Sequence, residues 1–452
     1  MATSAKYNTW VHAGFYSGLQ KLSVPLSSIF ITMILAKDVL SDEVQMGIWG
    51  LLMIATSILE LVRQGLVKNA MIKYINSCEE PDEKKVIAAG FYLNTLITII
   101  VAIILFAITP WLSEVQHAAP LKEMLYLLQF GLIINIPFSH FEWLMYAKQV
   151  FKGLYWTYVV RQGVMLLLVA GMLFIKFEQP LYVLVIIYNI AMLAGTIMAY
   201  KFIKGFIKNA FEFSKEWVWK LFHFGKYAFL SGISTLVFRN ADQVLLPNIL
   251  KTTIFNAFQG IALRIIALSD LPSQTLGDIL FPRTAHSRNN NNPAIIKYYY
   301  EKTVGASLCI ITPVLLFVFL FPKFVILILA KESYFAAIPY LRVVLFTAVT
   351  LSFLKQFGII MDSTGKQKHN LVAITMMAIL QVGLCYVFIK KDGLMGAGYA
   401  LVISHAIGFI VTQSMLYYYY KINFLNAFKY AVKFYPEFYH IISHKLPWKK
   451  TK

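Results

Sequence analysis

Residues 86–109 read VIAAGFYLNTLITIIVAIILFAIT, 24 positions without one charged side chain. A bilayer core about 30 Å thick needs ~20 predominantly apolar residues in a helix, so this stretch is long enough to cross it. Eleven further stretches fit the same template: 13–36, 45–66, 121–146, 154–175, 180–200, 222–250, 254–280, 303–322, 336–360, 370–389 and 396–417. The 452-residue chain is 58% hydrophobic and 14% charged, whereas soluble domains run at roughly 25% charged. Composition therefore excludes an ordinary globular enzyme and a disordered binding protein. The expected fold is an all-α polytopic membrane protein with about 12 transmembrane helices. Its longest connections, 67–85, 201–221 and 281–302, are too short for a folded extramembrane domain of ~50 residues. The first apolar stretch carries Lys21 and lacks a small-residue cleavage site, so it reads as a retained span rather than a signal peptide.

Lys and Arg number 41 against 22 Asp and Glu, a formal charge of +19. With the N-terminus placed in the cytoplasm, alternate loops hold about 25 Lys and Arg on the inside and about 8 on the outside. With an even span count this asymmetry puts both termini in the cytoplasm. The chain also divides into halves. The polar stretch 201–221 separates residues 1–210 from 211–420, six spans each, and the fourth span of each half ends in a similar turn, Tyr146-Ala147-Lys148-Gln149 and Gly365-Lys366-Gln367-Lys368. Two parallel six-helix lobes around a central cavity are expected. After Tyr420, residues 421–452 place polar side chains three or four apart. They read as a basic amphipathic cytoplasmic tail in the inner headgroup layer, kinked at Pro436.

No enzyme signature is present. The nine histidines show no HExxH spacing, the three cysteines no CxxC pair, and no Walker A or GxSxG element occurs. No cofactor or metal is expected. Active transport would have to draw on a Na⁺ or H⁺ gradient or on the substrate's own. The informative residues are cations inside predicted spans, where each costs about 2.5–3.5 kcal/mol at a helix centre and needs water or an anion beside it. They are Lys21, Arg63, Arg161, Lys226, Arg239, Arg264, Arg342 and Lys355. Lys226 and Arg63 lie near cytoplasmic ends, where snorkelling competes with ligand binding. Arg239 precedes Asp242 by three residues, which makes an intrahelical pair its default explanation. The embedded acids are Glu60, Glu142, Asp242 and Asp270. Glu60 stands at i−3 from Arg63, again a local pair. Asp242, Glu60 and Glu142 are the candidate coupling-ion ligands. The cation excess favours an anionic substrate over a cationic drug.

Several segments resemble polysaccharide flippases of the multidrug/oligosaccharidyl-lipid/polysaccharide exporter superfamily. These are Phe224-Gly225 through Leu230 to Asp242-Gln243-Val244-Leu245-Leu246, Gly260 through Arg264 to Leu280-Phe281-Pro282-Arg283, Leu35-Ala36 through Gly47 to Gly50, the 362–368 turn, and Gly393 to Ala400. The likeness runs to about residue 420. O-antigen, capsule and teichoic-acid flippases share these motifs. It implies that cavity cations meet a diphosphate: Arg264 is the best positional match to the cavity arginines of peptidoglycan-precursor flippases, and Lys21 stands where an arginine would be expected. Those relatives add two helices, so the twelve expected here favour a surface-polysaccharide flippase.

The combined expectation is a multi-pass protein of the bacterial cytoplasmic (inner) membrane. It would translocate polyprenyl-diphosphate-linked oligosaccharide by alternating access for surface polysaccharide biosynthesis, without nucleic acid and with other polysaccharide-assembly proteins as partners. Lys21, Arg161, Arg264, Arg239, Arg342, Lys355 and Arg63 would bind the diphosphate. The alternatives are an ion-driven multidrug exporter of the same superfamily and a membrane polysaccharide polymerase or ligase.

Overall fold

Asp42 opens the second helix: its carboxylate accepts the Val44 N–H at 3.0 Å, with Glu43 in the first turn. The cap satisfies an orphan donor, and both carboxylates favour the helix dipole. The computed structural model describes residues 16, 19–20, 23–40, 42–77, 80–175, 177–207, 212–269, 272–273, 276–277, 280 and 293–445. They form α1 (23–39), α2 (Glu43–Ile75), α3 (Glu80–Val115), α4 (Pro120–Ala147), α5 (Phe151–Gly171) and α6 (Pro180–Ile207). These are followed by α7 (Lys215–Leu250), α8 (Ile254–Ser269), α9 (Pro293–Leu320), α10 (Pro322–Leu329), α11 (Ile338–Ser363), α12 (Gln367–Tyr420) and α13 (Phe424–Lys445).

Eight of the described helices are long and apolar enough to cross a membrane, or nine if the bent α7 is one span. One of the eight is the 54-residue α12, which Gly393 (φ 56°, ψ −130°) breaks into two arms. Where they are described, the residues of the apolar stretches fall on helix apart from a few at their ends, but several helices run well past them: α2 continues to Ile75, α9 starts at Pro293, and 370–389 and 396–417 lie on the one helix α12. Lipid-facing surface is plain on α3, where Ile103 and Phe106 are 64% and 58% exposed. Apolar side chains exposed along a helix long enough to span a bilayer suit a hydrocarbon solvent.

The paired turns after α4 and α11 share a backbone device: Gln149 (φ 57°) and Gly365 (φ 76°) are both left-handed. Each neighbouring lysine is engaged. Lys148 reaches Glu83 at 2.6 Å, and Lys366 lies 3.3 Å from the Tyr419 ring centroid, where burial lowers its pKa.

The chain forms two compact units, Met1–Gly260 with Ile326–Tyr334, and Ile261–Val325 with Phe335–Lys452. The first unit includes α7, which packs on α2 and α3. Glycine makes that contact close. A Cβ on Gly225 would lie 2.1 Å from the Leu66 carbonyl oxygen, one on Gly65 2.8 Å from Phe229 Cα, and one on Gly232 2.5 Å from Leu61. The core of the first unit gathers Met71, Trp143, Leu144 and Leu221. That of the second gathers Tyr300, Phe353, Phe357 and Met361. In the second unit α13 packs along α9.

Candidate functional site

The chemistry of the first unit centres on α2. Its helix does not stop at residue 66 as the apolar run suggests but continues to Ile75 through a π-helical turn, Gln64–Lys68. Such turns widen the helix and re-aim the side chains on either side of them. Before the turn, Arg63 Nη2 lies 2.7 Å from Glu60 Oε2, the pair anticipated from their spacing. Gln64 Nε2 donates to Glu60 Oε1 at 2.9 Å, and Asn135 Nδ2 on α4 donates to Oε2 at 3.3 Å. At its end, Lys68 Nζ stands 3.7 Å from Glu142 Oε1 on α4, while the Tyr158 hydroxyl on α5 donates to the same oxygen at 3.0 Å. The Lys68 ammonium also lies 4.4 Å from the Tyr146 ring centroid.

One turn beyond Tyr158, Arg161 donates to the Tyr188 hydroxyl on α6 at 3.3 Å, and its guanidinium sits 5.0 Å from the Phe138 ring. It is within electrostatic reach of both Glu60 and Glu142. Four helices thus hold three cations and two carboxylates, one positive charge in excess. Burial is uneven: the Arg63 and Glu142 side chains are 3% exposed, Lys68 19% and Glu60 31%, so the cluster opens along the Glu60–Lys68 edge. Charges this deep are tolerated because each carboxylate has a cation and hydrogen-bond donors. The residual positive charge is the part available to an anion.

Asp242 forms a second, separate feature of this unit. Fully buried on α7, it accepts from the Gln243 N–H at 2.9 Å and from the Gln259 amide on α8. Asn256 Nδ2 in turn donates to the Gln243 carbonyl at 2.8 Å. Among the described residues no ion pair includes Asp242. Arg239, expected to pair with it, is exposed on another face of α7, and the carboxylate oxygens are held by amides instead. No cluster of His, Cys, Asp and Glu among the described residues could hold a metal ion.

The remaining expected residues do not join these features. Lys21 and Asp270 lie outside the described residues. Arg264 on α8 and Lys355 on α11 are half-buried in the second unit, and Arg342 on α11 is exposed with its guanidinium 5.6 Å from the Phe319 ring. Lys68, Asn135, Tyr158 and Tyr188 were not anticipated. Lys68 reads as one more loop cation, and tyrosines are common in membrane spans; only the i, i+3 spacing of Tyr158 and Arg161 hints at a shared face.

The polysaccharide biosynthesis protein family model matches residues 40–339. The chain belongs to that family. The matched region contains the whole ion cluster, Asp242 and Arg264, but neither Arg342 nor Lys355. Among solved structures, the fold resembles an inward-facing multidrug resistance MATE family transporter of the MOP superfamily, with TM-score 0.74, 15% identity and 88% and 94% of the two chains covered. It also resembles the lipid II flippase MurJ in an inward closed conformation, with TM-score 0.71, 14% identity and 97% and 93% covered. A MOP superfamily transporter from Pyrococcus furiosus, described as having a binding pocket of reverse polarity, matches with TM-score 0.66, 15% identity and 90% and 95% covered. An uncharacterized membrane protein of Methanocaldococcus jannaschii is 24% identical over 228 residues, 50% of this chain and 44% of its own length. This family member therefore carries a MATE-like fold, an all-α multi-span membrane architecture.

The segments that resemble polysaccharide flippases serve packing as well as charge. Leu35 and Ala36 are buried, and a Cβ on Gly47 would overlap the Thr253 carbonyl oxygen. Gly225 seats α7 on α2 beside the ion cluster.

Proposed function

We propose that this protein is a flippase that moves a polyprenyl-diphosphate-linked oligosaccharide from the inner to the outer leaflet during surface polysaccharide biosynthesis. The membrane is the bacterial cytoplasmic one, crossed about 12 times, with six helices per lobe, a cavity between lobes and both termini inside. The observation that carries the reading is the cation excess of the Glu60–Arg63–Lys68–Glu142–Arg161 cluster, inside a family named for polysaccharide biosynthesis. Glu60 and Glu142 offset Arg63 and Lys68, so Arg161, hydrogen-bonded to a phenol, flanked by aromatic faces and in ion-pair contact with neither carboxylate, is the cation that a diphosphate would recruit. Lys21, Arg264, Arg239, Arg342 and Lys355 complete the proposed set of diphosphate-binding cations. Lobe rocking would alternate access, with the polyprenyl tail left in the bilayer. Carrying negative charge outward against an inside-negative potential gains about 2.3 kcal/mol per charge per 100 mV if the charge crosses the whole field.

Asp242 is the coupling group we favour over Glu60 and Glu142, which already bind protein cations. A carboxylate held only by amides can exchange a proton or Na⁺ without first breaking an ion pair. A multidrug exporter of cations would place surplus carboxylate where this cluster has surplus cation. The reverse polarity noted for the Pyrococcus furiosus transporter supports substrate charge varying on this fold. Short outer connections, such as 116–119 between α3 and α4, offer little room for the reactive groups of a polymerase or ligase.

The test is complementation in a host lacking its own flippase. Arg161→Gln and Arg264→Gln should abolish surface glycan while membrane insertion persists, and Asp242→Asn should remove dependence on the ion gradient. Normal glycan export in both arginine variants would overturn the proposal.

A further inference from the structure

The C-terminal helix does not contact the second unit as an in-plane helix would. A helix lying in the headgroup layer crosses an upright span nearly at right angles and touches it over about one turn. Instead α13 follows α9 in register. The Asn423 N–H and the Asn426 amide donate to Glu301 at 3.0 and 3.1 Å; a Cβ on Gly305 would meet Tyr430 at 2.6 Å and the Ala427 carbonyl at 2.8 Å; the Tyr435 hydroxyl donates to the Cys309 carbonyl at 3.0 Å. From Glu301 to Cys309 α9 rises about 12 Å, and from Asn426 to Tyr435 α13 rises about 13 Å, so the two helices run parallel. Glu301 and Lys302 are the last charged residues before the apolar run of α9. α13 therefore starts at the inner boundary and climbs beside a membrane span.

Its other face carries the rest of the argument. Ala427 and Ala431 are buried against α9, whereas Leu425, Phe428 and Val432 form an i, i+3, i+7 stripe, 52%, 43% and 69% exposed. On α9 itself Ile310 and Val314 are likewise exposed, 43% and 46%. Beside it stand Lys429 and Lys433, exposed and one turn apart, with no acidic side chain on α13 before Glu437. An apolar stripe with two cations on one flank matches one occupant, an anionic phospholipid of the inner leaflet. Its acyl chains would lie on the stripe and its phosphate would meet lysines reaching back toward the headgroups.

We infer that α13 enters the inner leaflet as a membrane-embedded strut along α9 and that its Leu425–Val432 face, with Lys429 and Lys433, binds anionic phospholipid. Leu425→Cys, Phe428→Cys and Val432→Cys, in full-length protein with its native cysteines replaced by serine, would be spin-labelled in nanodiscs. Oxygen against nickel-chelate relaxation should report depth increasing from 425 to 432. Equal headgroup depth at all three sites would restore the in-plane helix and overturn the insertion. Preferential nickel-chelate relaxation throughout would mean a water-exposed helix and would overturn the insertion equally. Lipid retention, read by native mass spectrometry after mixed phosphatidylglycerol and phosphatidylcholine micelles, should favour phosphatidylglycerol. Lys429→Gln and Lys433→Gln should each weaken that preference about fivefold, the size expected for one basic residue near an anionic leaflet. Unchanged retention in the double variant, or a stripe covered by a second copy of the chain and inaccessible to lipid, would overturn the binding site.

Discussion

Lys68→Met should cost far more stability than Glu142→Gln, although each removes one half of the same ion pair. The Lys68–Glu142 separation is 3.7 Å, at which two unit charges attract by about 4 kcal/mol for an effective dielectric near 20. The partners differ in what they keep when alone. Glu142 is 3% exposed and would retain the Tyr158 hydroxyl as its hydrogen-bond donor, with Arg161 only at electrostatic reach, and a buried charge stripped of its ion-pair partner costs about 3–5 kcal/mol. Lys68 is 19% exposed and lies over the Tyr146 ring, a contact of about 1 kcal/mol that survives loss of the carboxylate. Lys68→Met should therefore destabilise by about 3 kcal/mol and Glu142→Gln by about 1 kcal/mol. The double variant should recover most of the larger loss, since an apolar pair leaves no charge stranded. Reversible SDS unfolding of the purified protein in mixed micelles measures all four corners of the cycle. Equal single-variant losses, or losses that simply add, would show that Glu142 is not a buried charge dependent on Lys68, and the account of the cluster would fall with it.

Three further outcomes follow from the geometry. Gly225→Val should fail to yield monodisperse protein by fluorescence-detected size exclusion, because backbone lies 2.1 Å from the added Cβ; Gly163→Ala, with nothing within 4 Å, should match or exceed wild type by up to about 1 kcal/mol. Gly393→Ala places a side chain at φ 56°, ψ −130°, a strain of about 1–3 kcal/mol; thermal unfolding should show it, whereas Gly383→Ala in the same helix should not. Arg161→Lys keeps the charge but loses the planar contact with Phe138 and Tyr188; glycan export should persist at reduced rate, between wild type and Arg161→Gln, and equality of Lys and Gln variants would assign the role to geometry rather than charge.

Composition and the length of the apolar runs set the solvent of this protein and the approximate positions of its helices. Residues 86–109 and their eleven counterparts leave a polar backbone no option but internal hydrogen bonding in hydrocarbon, which makes each a helix regardless of neighbours. The i, i+3 spacing of Glu60 and Arg63 also made their pairing legible, because both partners sit on one helix. Tertiary structure decided everything that depends on which helix faces which. Lys68 reads as a cytoplasmic loop charge, but the π-turn and the proximity of Glu142 and Tyr158, 74 and 90 residues later, draw it into the cluster. The spacing that suggested Arg239 for Asp242 failed for the same reason: an amide from α8 reached the carboxylate. The amphipathic pattern of α13 showed that one face seeks apolar surroundings, but not whether lipid or protein provides them. Glu301, Gly305 and Cys309 on α9 supply the answer, since hydrogen-bond partners more than a hundred residues apart are brought together by packing alone.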